Sequence, residues 1–293
     1  MAQSATIAGM KGTNKRAGRK IGGSILIFIF LALLGLFMVF PIYYTVIGSF
    51  KPTQEFFLFP PKLYVMDPTT DNYRDLLDVA SNLWVPFSRY VFNSFAYTIV
   101  ITVAHVFVCA MAAYVLAKCK FPGSKLINEI IVLSLLYTSN VIGIMQYMVS
   151  AKLHLIDKPW ALILPAISST MGLFLMRQCI SQIPNALIEA AKVDGAGHFR
   201  ICWGIVIPNS KPALMTMIIF KVQEAWNLQA GILVYSEDLK PLTTVIQQIS
   251  AAGIARQGAA AAGTVFLLVP PILLFIVAQK NVLETMAHSG IKD

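Results

Sequence analysis

Two places in this chain hold residues whose types and spacing could do chemistry. The first is Glu189-Ala190-Ala191, followed by Asp194-Gly195-Ala196 and, further on, Pro208. Pro184 suits the first turn of a helix, where its missing N–H costs nothing, and NALIEAAKV after it can form about two turns. Asp194-Gly195 is a turn signal, because glycine adopts positive φ without steric cost. Ala190 and Ala191 would leave one side low enough for another protein to approach, and Glu189 could reach a basic partner. That chemistry is docking, although an ordinary interfacial loop would use the same residues.

The second place is Lys221, Glu224, Trp226, Asn227 and Gln229. Lys221 and Glu224 are three apart and share a helix face. A charge near the middle of a bilayer costs about 2.5–3.5 kcal/mol on insertion scales, which turns such residues toward protein or a water-filled cavity. Aromatic faces suit the C–H surfaces of a sugar, and amides and charges suit its hydroxyls, so the stretch is a candidate path lining. A structural ion pair bracing a partner subunit is the competing reading.

Other reactive residues point to packing. His105 stands in an apolar run without a nearby carboxylate, which fits a hydrogen bond between helices better than a proton relay. Arg177 reads as an anchor at a span's end. Cys109, Cys119, Cys179 and Cys202 lack metal-site spacing and are expected to be free thiols. No G-x-x-x-x-G-K-[ST] phosphate loop is present, so the chain does not bind ATP by that route.

The elements that must position these residues are set by composition. Of 293 residues, 57% are hydrophobic and 13% charged, against about 25% charged in soluble domains. The class is an all-α integral membrane protein. A span needs about 20 apolar residues, and runs at 21–50, 90–117, 130–151, 159–176, 212–235 and 257–279 supply six candidates. The basic stretch before the first run resembles a signal-peptide start, but the run is too long and lacks a small-residue cleavage site; it reads as a retained span. Six spans place both termini on one side. With that side cytosolic, fourteen lysines and arginines lie inside and eight outside, as the positive-inside rule requires. The net charge of +9 then reflects topology, and no nucleic-acid partner is implied. The expected organisation is a basic cytosolic tail at 1–20, a six-helix domain at 21–282 and a cytosolic tail at 283–293. An external loop falls near 51–89, and the EAA stretch falls in a cytosolic loop near 181–211. Pro41 and Pro270-Pro271 can kink the first and last spans.

Glu189-Ala190-Ala191, three residues, Gly195, nine residues and then Ile205-x-Ile207-Pro208 resembles the EAA signature of ABC importer permeases. Other ordered segments are similar to the maltose-type carbohydrate permeases: GSFKPTQEFFLFPP, DNYRDLL, FSRYVFNSF, AAYVLAKCKFPG, LHLIDKPWALILP, GLFLMRQCISQIP and the terminal AQKNVLETMAHSGIKD. The resemblance implies the type I importer permease fold in a bacterial cytoplasmic membrane. It implies a transport subunit and not an enzyme, with no cofactor of its own and with ATP and Mg in partner ATPase subunits. Its implied partners are two such ATPases, a second permease subunit and an extracytoplasmic sugar-binding protein. By the same resemblance Glu189, Ala190, Ala191, Asp194, Gly195, Ala196 and Pro208 form the ATPase-coupling segment, and SAAGIARQG at 250–258 borders the binding protein. The implied cargo is a sugar or oligosaccharide, with glycerol phosphate or another small polar solute as the alternative. The more distant alternative, an ion-coupled secondary transporter, would need inverted repeats and chains of intramembrane acids; the sequence has no convincing repeat and few such carboxylates, Glu129 near one end and Glu224. Three departures stand out: Ala186 replaces a frequent second glutamate, YTSNVIGIMQYMVS lacks the usual prolines, and Trp226-Asn227-Leu228-Gln229 replaces a frequent W-N-D-F.

Overall fold

The computed structural model describes residues 21–82, 85–136 and 139–290, with side chains over 25–78, 85–136 and 143–279. The basic stretch 1–20 and residues 291–293 of the expected tail lie outside the described residues. Every regular element among those described is helical. In order they are α1 (Ile21–Ser49), α2 (Asp71–Asn82), α3 (Phe87–Lys118), α4 (Ser124–Ser134), α5 (Ser139–Lys152), α6 (Pro159–Ile167), α7 (Thr170–Ser181), α8 (Asn185–Val193), α9 (His198–Ile201), α10 (Ile207–Asn209), α11 (Lys211–Trp226), α12 (Leu242–Ala251) and α13 (Gln257–Gly290). The chain forms two compact units, one ending at Tyr44 within α1 and the other running from Thr45.

Among the described residues, four helical segments are long and apolar enough to cross a bilayer: Ile25–Ser49, Phe87–Lys118, Pro159–Ser181 and Ile254–Gln279. A fifth is reached if His198–Asn209 and Lys211–Trp226, which meet at 88°, count as one broken span. The run at 130–151 is not one helix. It is divided between α4 and α5, about 17 and 21 Å long at 1.5 Å per residue, each short of the roughly 30 Å hydrocarbon core. The run at 212–235 also stops early, because α11 ends at Trp226 and the chain turns through Gly231 at φ 53. The segment 51–89 is more than a loop. Within it Asn72 Nδ2 donates to the carbonyls of Ser49 (2.9 Å) and Lys51 (2.7 Å). Glu55 Oε1 accepts the backbone N–H groups of Met66 and Asp67.

The element that organises the second unit is α3. Its buried residues Tyr90, Ser94, Tyr97, Ile101 and His105 recur every three or four positions, the spacing of one helix face. Buried residues along the whole of α3 enter all three apolar cores: Tyr90 with Leu76 and Val245, Tyr97 and Ile101 with Leu162 and Val234, and, on another side of the helix near its end, Ala110, Ala113 and Tyr114 with Met176, Ile180 and Ile201. Phe92, Ile99 and Val103 on the other side are exposed. Polar groups of α3 satisfy backbone groups in the loop before α12 and at the start of α12. Asn93 Nδ2 donates to Asp238 O (2.7 Å) and Lys240 O (3.1 Å), Tyr97 donates to Leu239 O (2.8 Å), and Ser94 Oγ accepts from Leu242 N (2.8 Å).

Candidate functional site

The helix predicted from NALIEAAKV is α8, with Pro184 in extended conformation at its N-cap. Its end is a Schellman motif: Gly195 N–H donates to Lys192 O (3.0 Å) and Ala196 N–H to Ala191 O (2.9 Å), the paired bonds that close a helix on a left-handed residue. Gly195 has φ 76 and open space where a Cβ would stand. Ile188 and Ala191 are buried in the core that contains Tyr114 and Ile180. The two alanines therefore do not form one low side, since Ala191 faces the protein and Ala190 faces out. Helical rotation of about 100° per residue separates neighbours in this way.

The exposed side of α8 holds Ala186, Leu187, Glu189, Ala190 and Val193, with Asp194 just beyond. Val193 is 88% exposed and Leu187 47%. Ala186, Ala190 and Val193 stand four and three apart, so they form an apolar stripe. Leu187 and Val193 were missed from sequence because nothing local marks which apolar side chain faces outward. Glu189 lines a cavity of about 440 Å³ with Lys118, Lys120, Asn185, Lys192 and His198. An acidic residue ringed by lysines at a helix surface is suited to a polar docking partner. Beyond α9 the chain makes a π-helical turn, Cys202–Val206, then α10 with Pro208 at its first turn. The 88° bend follows at Ser210, whose N–H reaches both Val206 O and Ile207 O at 3.0 Å.

At the second predicted place, Lys221 is buried and its Nζ lies 3.1 Å from Glu224 Oε2, with Glu224 exposed. The ammonium sits off the line of a good hydrogen bond, so the contact is chiefly charge on charge. Trp226 is buried, with its indole N–H donating to Leu267 O (3.0 Å) and its ring edge-on to Phe95. Asn227 is exposed and donates to Gln223 O (2.8 Å), and Gln229 is exposed. The stretch thus has an exposed polar edge, Glu224, Asn227 and Gln229, backed by Lys221 and Trp226.

His105 bridges helices as expected, its Nδ1 2.6 Å from Ile167 O and its ring against Gly172 of α7. All four cysteines are free thiols. Arg177 borders a cavity of about 560 Å³ with Asn128 and Glu129. Among the described residues no three of His, Cys, Asp and Glu gather where they could hold a metal ion.

Against known proteins, residues 89–286 match the family described as binding-protein-dependent transport system inner membrane component. The chain belongs to that family. It is a permease subunit of an ABC importer in the inner membrane, and it is not an enzyme. Among its relatives is the arabinooligosaccharides transport system permease protein AraQ of Bacillus subtilis (strain 168), 29% identical over 90% of this chain and 94% of that one. Another is the sn-glycerol-3-phosphate transport system permease protein UgpE of Yersinia enterocolitica serotype O:8 / biotype 1B (strain NCTC 13174 / 8081), 28% identical over 84% and 89%. In fold the permease is similar to a chain in the crystal structure of a bacterial ABC transporter that imports the acidic polysaccharide alginate. There the TM-score is 0.74 at 23% identity, covering 90% of this chain and 97% of that one.

Proposed function

We propose that this permease imports a sugar or oligosaccharide, forming the path with a second permease subunit and coupling it to two ATPase subunits through α8. The observation that carries the coupling role is the exposed side of α8, closed by the Gly195 turn: a rigid short helix whose outward face is apolar stripe and carboxylate. The relationship to an arabinooligosaccharide permease supports the cargo class; the relationship to glycerol-3-phosphate permeases favours a small phosphorylated polyol as the second reading. Six spans with both termini cytosolic fit the distribution of lysine and arginine, with α4 and α5 as one interrupted span and α9 to α11 as another. Residues 51–89 and 250–258 then face the outside, where a binding protein delivers the solute, and α8 faces the cytosol.

In this mechanism ATP and Mg are held by the ATPase subunits. Closure of the ATPase pair draws the docked α8 helices together and shifts the spans from inward- to outward-facing; hydrolysis resets them. Glu189 and the Ala186–Ala190–Val193 stripe sit against the ATPase, Asp194, Gly195 and Ala196 hold the turn, and Pro208 leads into the bend. Glu224, Asn227 and Gln229 line the path, with Lys221 and Trp226 behind them. Purification of the complex with its binding protein tests this. An ATPase with a phosphate loop should accompany the wild-type chain, and Glu189→Lys with Gly195→Asp should release it or uncouple hydrolysis from uptake. Normal uptake by that double variant would sink the coupling role. Mass spectrometry of solute held by the binding protein decides between a sugar and a glycerol phosphate.

A further inference from the structure

The ends of α8 are tied to one stripe on α3. At its start, Lys118 in the last turn of α3 donates to Ile183 O (2.5 Å), Asn185 Oδ1 (3.0 Å) and Ser181 O (3.3 Å). All three acceptors belong to the joint between α7 and α8. Beyond the Gly195 turn, the buried Tyr114 hydroxyl lies 2.9 Å from His198 Nδ1, with the rings 6.0 Å apart. Further along, Cys202 Sγ lies 4.0 Å from Ala110 O and Phe107 stacks on Trp203 at 5.7 Å. Phe107, Ala110, Tyr114 and Lys118 are three, four and four apart, so they form a single row on α3. Between the two polar ties, Ile188 and Ala191 are buried against the same core as Tyr114.

We infer that Lys118 and Tyr114 are positioning residues that make α3 move as one body with the coupling helix. They carry its displacement to the opposite end of α3, whose Asn93, Ser94 and Tyr97 hold the loop around residues 238–242. The inference rests on the coupling role proposed for α8 and adds the element that receives its motion. The physical ground is directional bonding at both ends. Apolar packing alone lets one helix slide along another, whereas hydrogen bonds to fixed carbonyls resist translation and rotation. The lysine is suited to this, since one ammonium supplies three donors to three converging acceptors. A tyrosine buried among aliphatic side chains normally directs its hydroxyl to a partner; here that partner follows the turn that ends α8.

The test uses the complete complex, with its ATPase subunits and binding protein, in nanodiscs. The reporter is Ser88→Cys, at the far end of α3, in a background whose four native cysteines are replaced. A membrane-impermeant maleimide measures how far ATP with vanadate changes its labelling rate. In the parent, ATP should change that rate. In Tyr114→Phe and in Lys118→Met the ATP-driven change should fall about fivefold, the scale of one lost hydrogen bond. In Tyr114→Phe, which removes one buried hydroxyl and leaves the Glu189 cavity lining intact, the bound ATPase and its hydrolysis rate should remain. Lys118→Arg, which can still donate to the same carbonyls, should restore most of the response. Two results overturn the inference: an undiminished response in both variants, or hydrolysis and bound ATPase falling in step with it in Tyr114→Phe, which would mark a merely structural role. A parent complex that carries no ATPase would overturn the coupling role itself, and this inference with it.

Discussion

The helices α1 and α3 are both long and apolar, 29 and 32 residues, yet their side chains differ in kind. Of the most apolar window of α3, 39% is buried. In α1 the described side chains before Thr45 are almost all Ile, Leu, Phe, Met, Val and Tyr. In α3 the buried row mixes Tyr, Asn, Ser, Thr, His, Cys and Ala. Lipid tails are as apolar as leucine, so greasiness gives a helix no reason to leave lipid for protein. Small residues that allow close approach, and polar groups that find partners, supply that reason.

The sharpest way to break this contrast is at Asn93. Asn93→Leu leaves Lys240 O without its side-chain donor and Asp238 O with only the Arg89 Nε–H at 3.2 Å, at a cost of about 1–3 kcal/mol for a buried unsatisfied group. Leu36→Ala in α1, whose side chain is 74% exposed, should stay within about 0.5 kcal/mol. Thermal unfolding of the two variants in nanodiscs compares them directly, and equal shifts would collapse the distinction. A smaller effect, with a change of sign, comes from glycine. A Cβ on Gly172 would collide with His105 Nε2, while one on Gly35 meets nothing within 4 Å. Gly172→Ala should therefore destabilise by about 1–2 kcal/mol through overpacking. Gly35→Ala should be neutral or stabilise by up to about 1 kcal/mol through helix propensity. The same unfolding measurement reads both.

The smallest effect lies outside both helices and separates hydrogen bonding from burial. Asp157, in the loop between α5 and α6, accepts bonds from the Ser236 hydroxyl, the Ser236 N–H and the Tyr235 N–H. The Ser236 hydroxyl first, then its N–H, hold this carboxyl below the ordinary carboxylate range, against a modest opposing effect of burial. A depressed folded-state pKa contributes stability that is fully present above the ordinary range. It is lost as pH falls through the lower folded value. Asp157→Asn keeps a residue that tolerates the local φ of 58. Its unfolding temperature should sit slightly below wild type at neutral pH and converge with it on acidification. A constant difference between the two would remove the carboxylate from the account.

What the sequence disclosed was what is encoded locally. Pro184 and Gly195 bound α8 because a fixed φ starts a helix and a left-handed residue ends it. Lys221 and Glu224 meet because three residues is one turn. The interruption between α4 and α5 was hidden because counting apolar residues over 130–151 measures composition and not continuity of the backbone. The division of Ala190 from Ala191 needed the direction of the core, which is set by Tyr114 and Ile180 from distant helices. Trp226 donates to Leu267 across 41 residues, and no local pattern announces such a bond. For the same reason nothing local marks Phe107, Ala110, Tyr114 and Lys118 as one row, since their partners lie far along the chain in 181–203.

The turn at Gly195 has one more consequence. Because nothing stands within 4 Å of the place a Cβ would take, the penalty for any side chain there comes from backbone strain alone, about 1–2 kcal/mol for most L-residues. Alanine, leucine and tryptophan should thus be penalised alike, with asparagine spared most. A library at this position would sort by tolerance of left-handed backbone and would be blind to bulk.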